Sequence, residues 1–92
     1  MSQLKRVVLD VLKPHHPNPL EFATAIAECD ESWRVTVTVA EIDEKTVSII
    51  LTVEGEDIRF ELLEETINKW GASLHSIDEV EVTGQQPVKR LS

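Results

Sequence analysis

The chain has little of what several common functional sites require. Its 92 residues include one cysteine, three glycines and no tyrosine. A single cysteine, Cys29, excludes an intrachain disulfide and a Cys-x-x-Cys zinc or redox pair, and it fits a reducing cytoplasm. The apolar runs are far shorter than the roughly 18 residues of a membrane span, and no targeting segment is visible. We therefore expect a cytoplasmic protein without a membrane partner.

Basic residues are also scarce. Nine lysines and arginines stand against seventeen aspartates and glutamates, which gives a net charge of −8. Such a chain repels phosphate polyanions and attracts cations, so nucleic acid is not an expected partner.

Four segments have the apolar alternation of β-strands. They span residues 4–13, 33–42, 47–54 and, less regularly, 73–82. The second and third are separated by a short polar turn and form a predicted hairpin.

Two helices are predicted between the strands. Asn18, Pro19 and Glu21 form a capping box with a proline at the first helical position, which predicts a helix over residues 19–29. Its expected apolar face consists of Leu20, Ala23, Ile26 and Ala27. A second helix is predicted to start with Asp57 as its cap, to bury side chains from Phe60 to Trp70, and to end at Gly71.

The order βαββαβ with a central hairpin predicts an α+β ferredoxin-like sandwich. Its four-stranded antiparallel sheet would have the order 4-1-3-2, with both helices on one face. We expect residues 1–84 to form this single domain and residues 85–92 to form a flexible tail. Apolar and β-branched residues are expected on the face without helices, namely Val8, Leu12, Thr36, Thr38, Ala40, Ile50 and Thr52. This favours homo-oligomerisation through that face, the sheet edges or both, with a monomer as the alternative.

Three segments resemble an archaeal family of unknown function, DUF211. They are residues 7–15 (VVLDVLKPH), 53–55 (VEG) and 75–80 (HSIDEV), and the hairpin strand 37–43 (VTVAEID) also fits the family pattern. The resemblance spans nearly the whole chain. It implies a ferredoxin-like fold in a cytoplasmic archaeal protein, a ring-like homo-oligomer and calcium binding. It implies no established activity and no catalytic residues.

Acidic residues are predicted to gather at one end of the sheet. The candidate cation ligands are Glu54, Glu56, Asp57, Asp78 and Glu79, near the turn formed by Asp30 and Glu31. Calcium and magnesium prefer several converging oxygen ligands, and Gly55 would allow backbone carbonyls to join them. Solvated carboxylates are the alternative.

Other polar residues are predicted nearer the opposite end. Asp10, His15, His16, His75, Glu41 and Asp43 could supply two or three transition-metal ligands, or they could form a solvated loop region. Asp10 lies within an apolar strand and needs a partner, for which Lys13, Arg6 or another subunit is available. Cys29 is interpreted as a small buried hydrophobe rather than a reactive thiol.

Several known kinds of site are missing from the sequence. There is no phosphate-binding glycine loop and no G-x-S-x-G nucleophile motif, and no arginine loop follows the first strand. Residues 14–17 read Pro-His-His-Pro, where a metal-chaperone domain of this fold carries Cys-x-x-Cys. The sequence therefore favours a non-enzymatic assembly and binding module that takes a cation or small ligand at subunit boundaries. The alternative is an enzyme of unknown reaction that uses carboxylates and a histidine at the sheet end.

Overall fold

The computed structural model describes residues 2–84 and confirms the ferredoxin-like βαββαβ order. The elements are β1 (Ser2–Pro14), α1 (Pro19–Ala27), β2 (Arg34–Ile42), β3 (Thr46–Glu54), α2 (Phe60–Lys69) and β4 (Ser73–Gly84). The sheet has the order β2-β3-β1-β4, and its neighbouring strands are antiparallel. The tail predicted at residues 85–92 lies outside the described residues.

The core lies between the sheet and the two helices. Alternate residues of β1 and β3 are buried on this helix-covered side, as the period-two pattern predicts. They pack in one cluster with the buried residues of the helices. The strands contribute Val7, Leu9, Val11, Val47, Ile49, Leu51 and Val53, and the helices contribute Phe22, Ile26, Leu63 and Ile67. We call the opposite side of the sheet the open face.

Helix α1 starts as predicted, and one residue of its predicted apolar face does not face the core. The backbone N–H of Glu21 donates to Asn18 Oδ1 at 2.8 Å, and that of Asn18 donates to Glu21 Oε1 at 2.9 Å. The buried residues are Phe22 and Ile26. Leu20 is 76% exposed, so its assignment to the apolar face was wrong. Two residues correspond to about 200° of helical rotation, which places Leu20 opposite Phe22.

Helix α2 starts later than predicted. Its N-cap is Arg59, without a side-chain cap, so the prediction that Asp57 caps this helix was wrong. The backbone N–H of Ile58 donates to the carbonyl of Leu4 at 2.8 Å, which holds the preceding segment against β1. The predicted end is confirmed: Gly71 has a φ of +83°, and the N–H of Ala72 donates to the carbonyl of Ile67.

Strand β4 is longer and less regular than its sequence indicates. It extends to Gly84, and the pairing with β1 slips by one residue near His75 and again near Asp78. These two bulges bring Leu74, Ile77 and Val80 to the same side of the sheet although each is three positions from the next, where a regular strand would need two or four. This spacing explains the weak alternation in the sequence.

Candidate functional site: the charged end and edges of the sheet

Four charged residues lie in one row across the sheet, one from each strand. Arg34 of β2 is opposite Glu54 of β3, Glu54 is opposite Arg6 of β1, and Arg6 is opposite Glu81 of β4. We call this set the charged row. The sign of the charge alternates from strand to strand, so each pair of neighbouring strands is stabilised by opposite charges.

Arg6 holds the centre of this row. Its Nη1 donates to Glu54 Oε2 at 2.8 Å, and its Nε donates to Glu79 Oε2 at 3.3 Å. The hydrogen bond to Glu54 is the main cause that raises the pKa of Arg6 above its ordinary value, with partial desolvation opposing it and Glu79 adding to it. The guanidinium therefore joins two carboxylates that sequence reasoning assigned to a cation site.

The five predicted cation ligands do not converge on one point. Glu54 and Glu79 meet at Arg6, whereas Glu56 lies 3.4 Å from Lys5 Nζ. Asp78 accepts a hydrogen bond of 2.7 Å from the Ser76 hydroxyl, and Asp57 is exposed before α2. Within residues 2–84 no group of three or more histidine, cysteine, aspartate or glutamate side chains could hold a metal ion.

The segments beside this acidic end have structural roles. Asp30 accepts hydrogen bonds of 2.8 Å from the Ser32 backbone N–H and hydroxyl, which lower the pKa of the Asp30 carboxyl. A Cβ atom at Gly55 would lie 2.9 Å from Trp33 Cδ1. Gly55 thus leaves room for the buried indole, which is a packing reason for glycine rather than a ligand-binding one.

The outer strand β4 exposes an apolar stripe that was not predicted. Ile77, Val80 and Val82 are 53%, 55% and 52% exposed. The register places them opposite Leu9, Val7 and Leu4, so they lie on the helix-covered side of the sheet, beyond the cover of the helices. The spacing of these residues conceals the stripe in the sequence, because the bulge at Asp78 separates Ile77 from Val80.

The open face has the mixed character that was predicted for it. Val8, Ile50 and Thr52 on the central strands are half-buried, and Leu12 is exposed. Asp10 lies among them, opposite Ile50 on one side and Ser76 on the other. Ala40 occupies a bulge in β2, where the pairing shifts between Val39 and Glu41.

Neither predicted intrachain partner binds Asp10. Arg6 binds Glu54 and Glu79, as described above. Lys13 faces the other side of the sheet, where it is 1% exposed and its Nζ donates to the Pro14 carbonyl at 2.7 Å. Desolvation lowers the pKa of Lys13, partly offset by the charge of Glu21. The odd-numbered alternation of β1 already indicated this inward position, since it continues through Val7, Leu9 and Val11.

The histidines do not form a metal cluster among the described residues. The Nε2 atom of His15 lies 2.9 Å from the Asp43 carbonyl and 3.0 Å from the Glu44 carbonyl, so its ring fastens the loop after β1 to the β2–β3 turn. His16 is exposed in the loop, and His75 is exposed at a bulge of β4. No histidine therefore joins the acidic end of the sheet.

A shallow apolar groove lies between the helices. It has a volume of about 470 Å³ and is lined by Pro17, Leu20, Glu21, Thr24, Ala25, Glu28 and Trp70. Cys29 lies partly buried nearby, with Sγ 3.2 Å from Thr66 Oγ1. This position fits the interpretation of Cys29 as a packing residue.

Comparison with known proteins places the chain among uncharacterized relatives. The pattern of the family DUF211, described as "Uncharacterized ArCR", matches residues 5–91. An uncharacterized protein of Methanocaldococcus jannaschii is 36% identical over 91 residues, which cover 99% of this chain and 93% of that protein. Neither helix in the described part of the chain is long and apolar enough to cross a membrane.

Proposed function

Because the chain belongs to the DUF211 family, whose description assigns no activity, we propose that it is a non-enzymatic module that forms closed homo-oligomers. In this proposal a divalent cation or a small ligand binds where copies meet. The module acts in the cytoplasm, where its single cysteine stays reduced.

The apolar stripe of β4 is the observation that carries the assembly proposal. Ile77, Val80 and Val82 expose apolar surface together on an outer strand. A long outer strand with apolar side chains pairs readily with another chain unless something covers it. A second copy covers this stripe in the proposed assembly, which removes apolar surface from water.

The cation proposal uses carboxylates from more than one copy. Two of the five predicted ligands are held by Arg6 in each copy. This leaves Asp57, Asp78 and the exposed Glu56, which lies 3.4 Å from Lys5 Nζ. These three do not cluster within residues 2–84 of one chain. Hard cations need several oxygen ligands, so acidic residues of neighbouring copies complete the set.

Replacement of Val80 by lysine tests the assembly. Val80 is more than half exposed, so the variant keeps the fold, but a charge in the stripe opposes contact with a second copy. We expect wild-type protein to have a native mass that is a multiple of 10.4 kDa and the Val80→Lys variant to approach 10.4 kDa in multi-angle light scattering. Leu20→Lys is the matched control, because Leu20 is exposed on α1, and it should keep the wild-type mass. Equal masses for wild type and Val80→Lys would contradict the proposal.

Calcium addition tests the cation. After removal of metal with a chelator, calcium should raise the melting temperature of the wild-type oligomer, because a ligand that binds only the native state stabilises it. The variant Asp57→Asn/Asp78→Asn should lose this response and keep its melting temperature without calcium. An unchanged wild-type melting temperature at millimolar calcium would refute cation binding and leave the assembly proposal standing.

A further inference from the structure

Both outer strands leave a free edge in the described part of the chain. Residues 2–84 form a four-stranded sheet in which β2 and β4 each have one neighbour. Neither strand contains proline or lysine, which natural proteins use to block pairing at sheet edges. The pairing of β2 with β3 is regular from Arg34 to Val39. From Glu79 onwards β4 itself has no extra residue, and the one shift in its pairing there comes from the extra residue Lys5 of β1. These regular halves lie at the same end of the sheet, where the charged row crosses it.

The two outer strands run in opposite directions, as antiparallel pairing between copies requires. Each strand is antiparallel to its neighbour in the order β2-β3-β1-β4, so β2 and β4 run in opposite directions. A second copy placed beside the first in the same orientation brings its β2 antiparallel to β4 of the first copy. Main-chain hydrogen bonds can then continue across the boundary without a change in the pairing pattern.

The charged row ends in opposite charges at the two edges. Read across the sheet, it runs from Arg34 through Glu54 and Arg6 to Glu81. An arginine therefore lies at the β2 edge and a glutamate at the β4 edge of the same row. We propose that copies of this chain pair head to tail, with β4 of one copy against β2 of the next and Glu81 opposite Arg34. This inference rests on the assembly proposed above and assigns its surfaces.

The helix-covered side matches in the same register. With Glu81 opposite Arg34, Val80 lies opposite Val35 of the next copy. Beyond the bulge at Asp78, Ile77 lies opposite Val37 of the next copy. This continues the row in which Ile77 lies opposite Leu9, and Leu9 lies opposite Leu51, within one copy. The pairing thus brings half-buried valines of β2 against the apolar stripe of β4, so that one register satisfies both faces of the boundary.

Symmetric pairing of two β4 edges is less favourable. A β4 edge paired with itself gathers Glu79 and Glu81 from both copies, which are like charges on one face. Head-to-tail pairing alternates the charges instead. It is a heterologous contact, and such contacts generate rings when the rotation between successive copies closes.

Charge reversal tests this pairing. Arg34→Glu and Glu81→Arg each place like charges across the boundary. Each also places a like charge within its own copy, opposite Glu54 and Arg6 respectively, so the mixture of the two variants isolates the effect of the boundary. We expect each variant alone to need about tenfold more protein for half-assembly at low salt, which sedimentation velocity measures. A mixture of the two variants in equal amounts should recover most of the lost assembly, because a boundary between the two different variants joins opposite charges again. The differences should shrink at high salt.

Two variants control for the change in net charge. Arg59→Glu and Glu64→Arg reverse exposed charges at the start of α2 and on α2 itself, outside the charged row. Both should assemble at wild-type concentrations. Circular dichroism of each variant verifies the fold, and recovery in the mixture verifies it independently.

The outcomes separate the pairing from the assembly itself. A monomeric wild-type chain would overturn the proposed function and this inference together. An assembled wild type in which Arg34→Glu has no effect would overturn the head-to-tail pairing and leave the assembly intact. Disruption by both variants without recovery in the mixture would also overturn the pairing.

Discussion

Lys13 shows how a single residue departs from the rule that lysines stay at the surface. Its ammonium is buried on the helix-covered side and donates to a backbone carbonyl, with no carboxylate within ion-pair distance among the described residues. A buried charge without an opposite charge costs free energy, which agrees with the lowered pKa. Lys13 is therefore a residue at which stability can be gained.

Lys13→Met should stabilise the protein. Methionine keeps the length of the side chain and removes the charge, so we expect the melting temperature at pH 7 to rise by about 4–8 °C, which corresponds to roughly 1 kcal/mol. The unfolded chain binds the Lys13 proton more tightly than the folded chain does, so wild-type stability increases as the pH rises through the lowered pKa towards the ordinary lysine value. The advantage of the variant should therefore shrink at alkaline pH.

Lys45→Met is the control for this prediction. Lys45 is exposed in the turn between β2 and β3, so the same charge is lost without a change in burial. Its melting temperature should stay close to that of wild type at every pH. A Lys13→Met variant less stable than wild type at pH 7 would show that the ammonium is stabilising where it lies.

At the scale of elements, local chemistry determines where α1 starts and where α2 ends. Asn18 and Glu21 exchange two hydrogen bonds at the start of α1, and Gly71 supplies the positive φ after α2. Both features were predicted from sequence because each depends on residues that are close in the chain. The start of α2 was not predicted, because the segment before it is positioned by the contact of Ile58 with β1.

Removal of the α1 cap should destabilise the fold. Asn18→Ala leaves the N–H of Glu21 without its acceptor, and N-cap losses of this kind cost about 1 kcal/mol. For a domain of this size the melting temperature should fall by about 4–8 °C, measured by calorimetry at a fixed protein concentration. Asn18→Asp keeps an acceptor and should lie close to wild type. Equal losses in both variants would show that the cap itself is not the cause.

The strands show the same limit of sequence reasoning. Regular alternation predicted β1, β2 and β3. The same alternation also indicates that Lys13 faces the core, although Lys13 was interpreted as a candidate partner of Asp10. The two bulges of β4 break its period of two and hide its apolar stripe in the sequence, and its end at Gly84 lies two residues beyond the predicted end. Its apolar stripe and the charged row depend on register between strands far apart in sequence, which no single segment reveals.

For the whole molecule, the sheet has two roles: its centre packs against the helices, and its edges are the surfaces proposed for assembly. Within one copy the helices cover Leu9, Leu51 and the other core residues, whereas Ile77 and Val80 at the β4 edge stay exposed. The alternating charges reach both edges with opposite sign. These features are explained together if the sheet continues into a second copy, and the proposed cation and ligand sites depend on that boundary.

The most direct test is the native mass of the wild-type chain. Sedimentation velocity over a range of protein concentrations should show one discrete species whose mass is a multiple of 10.4 kDa. A single species at 10.4 kDa at every concentration would contradict self-assembly, and with it the sites proposed between copies.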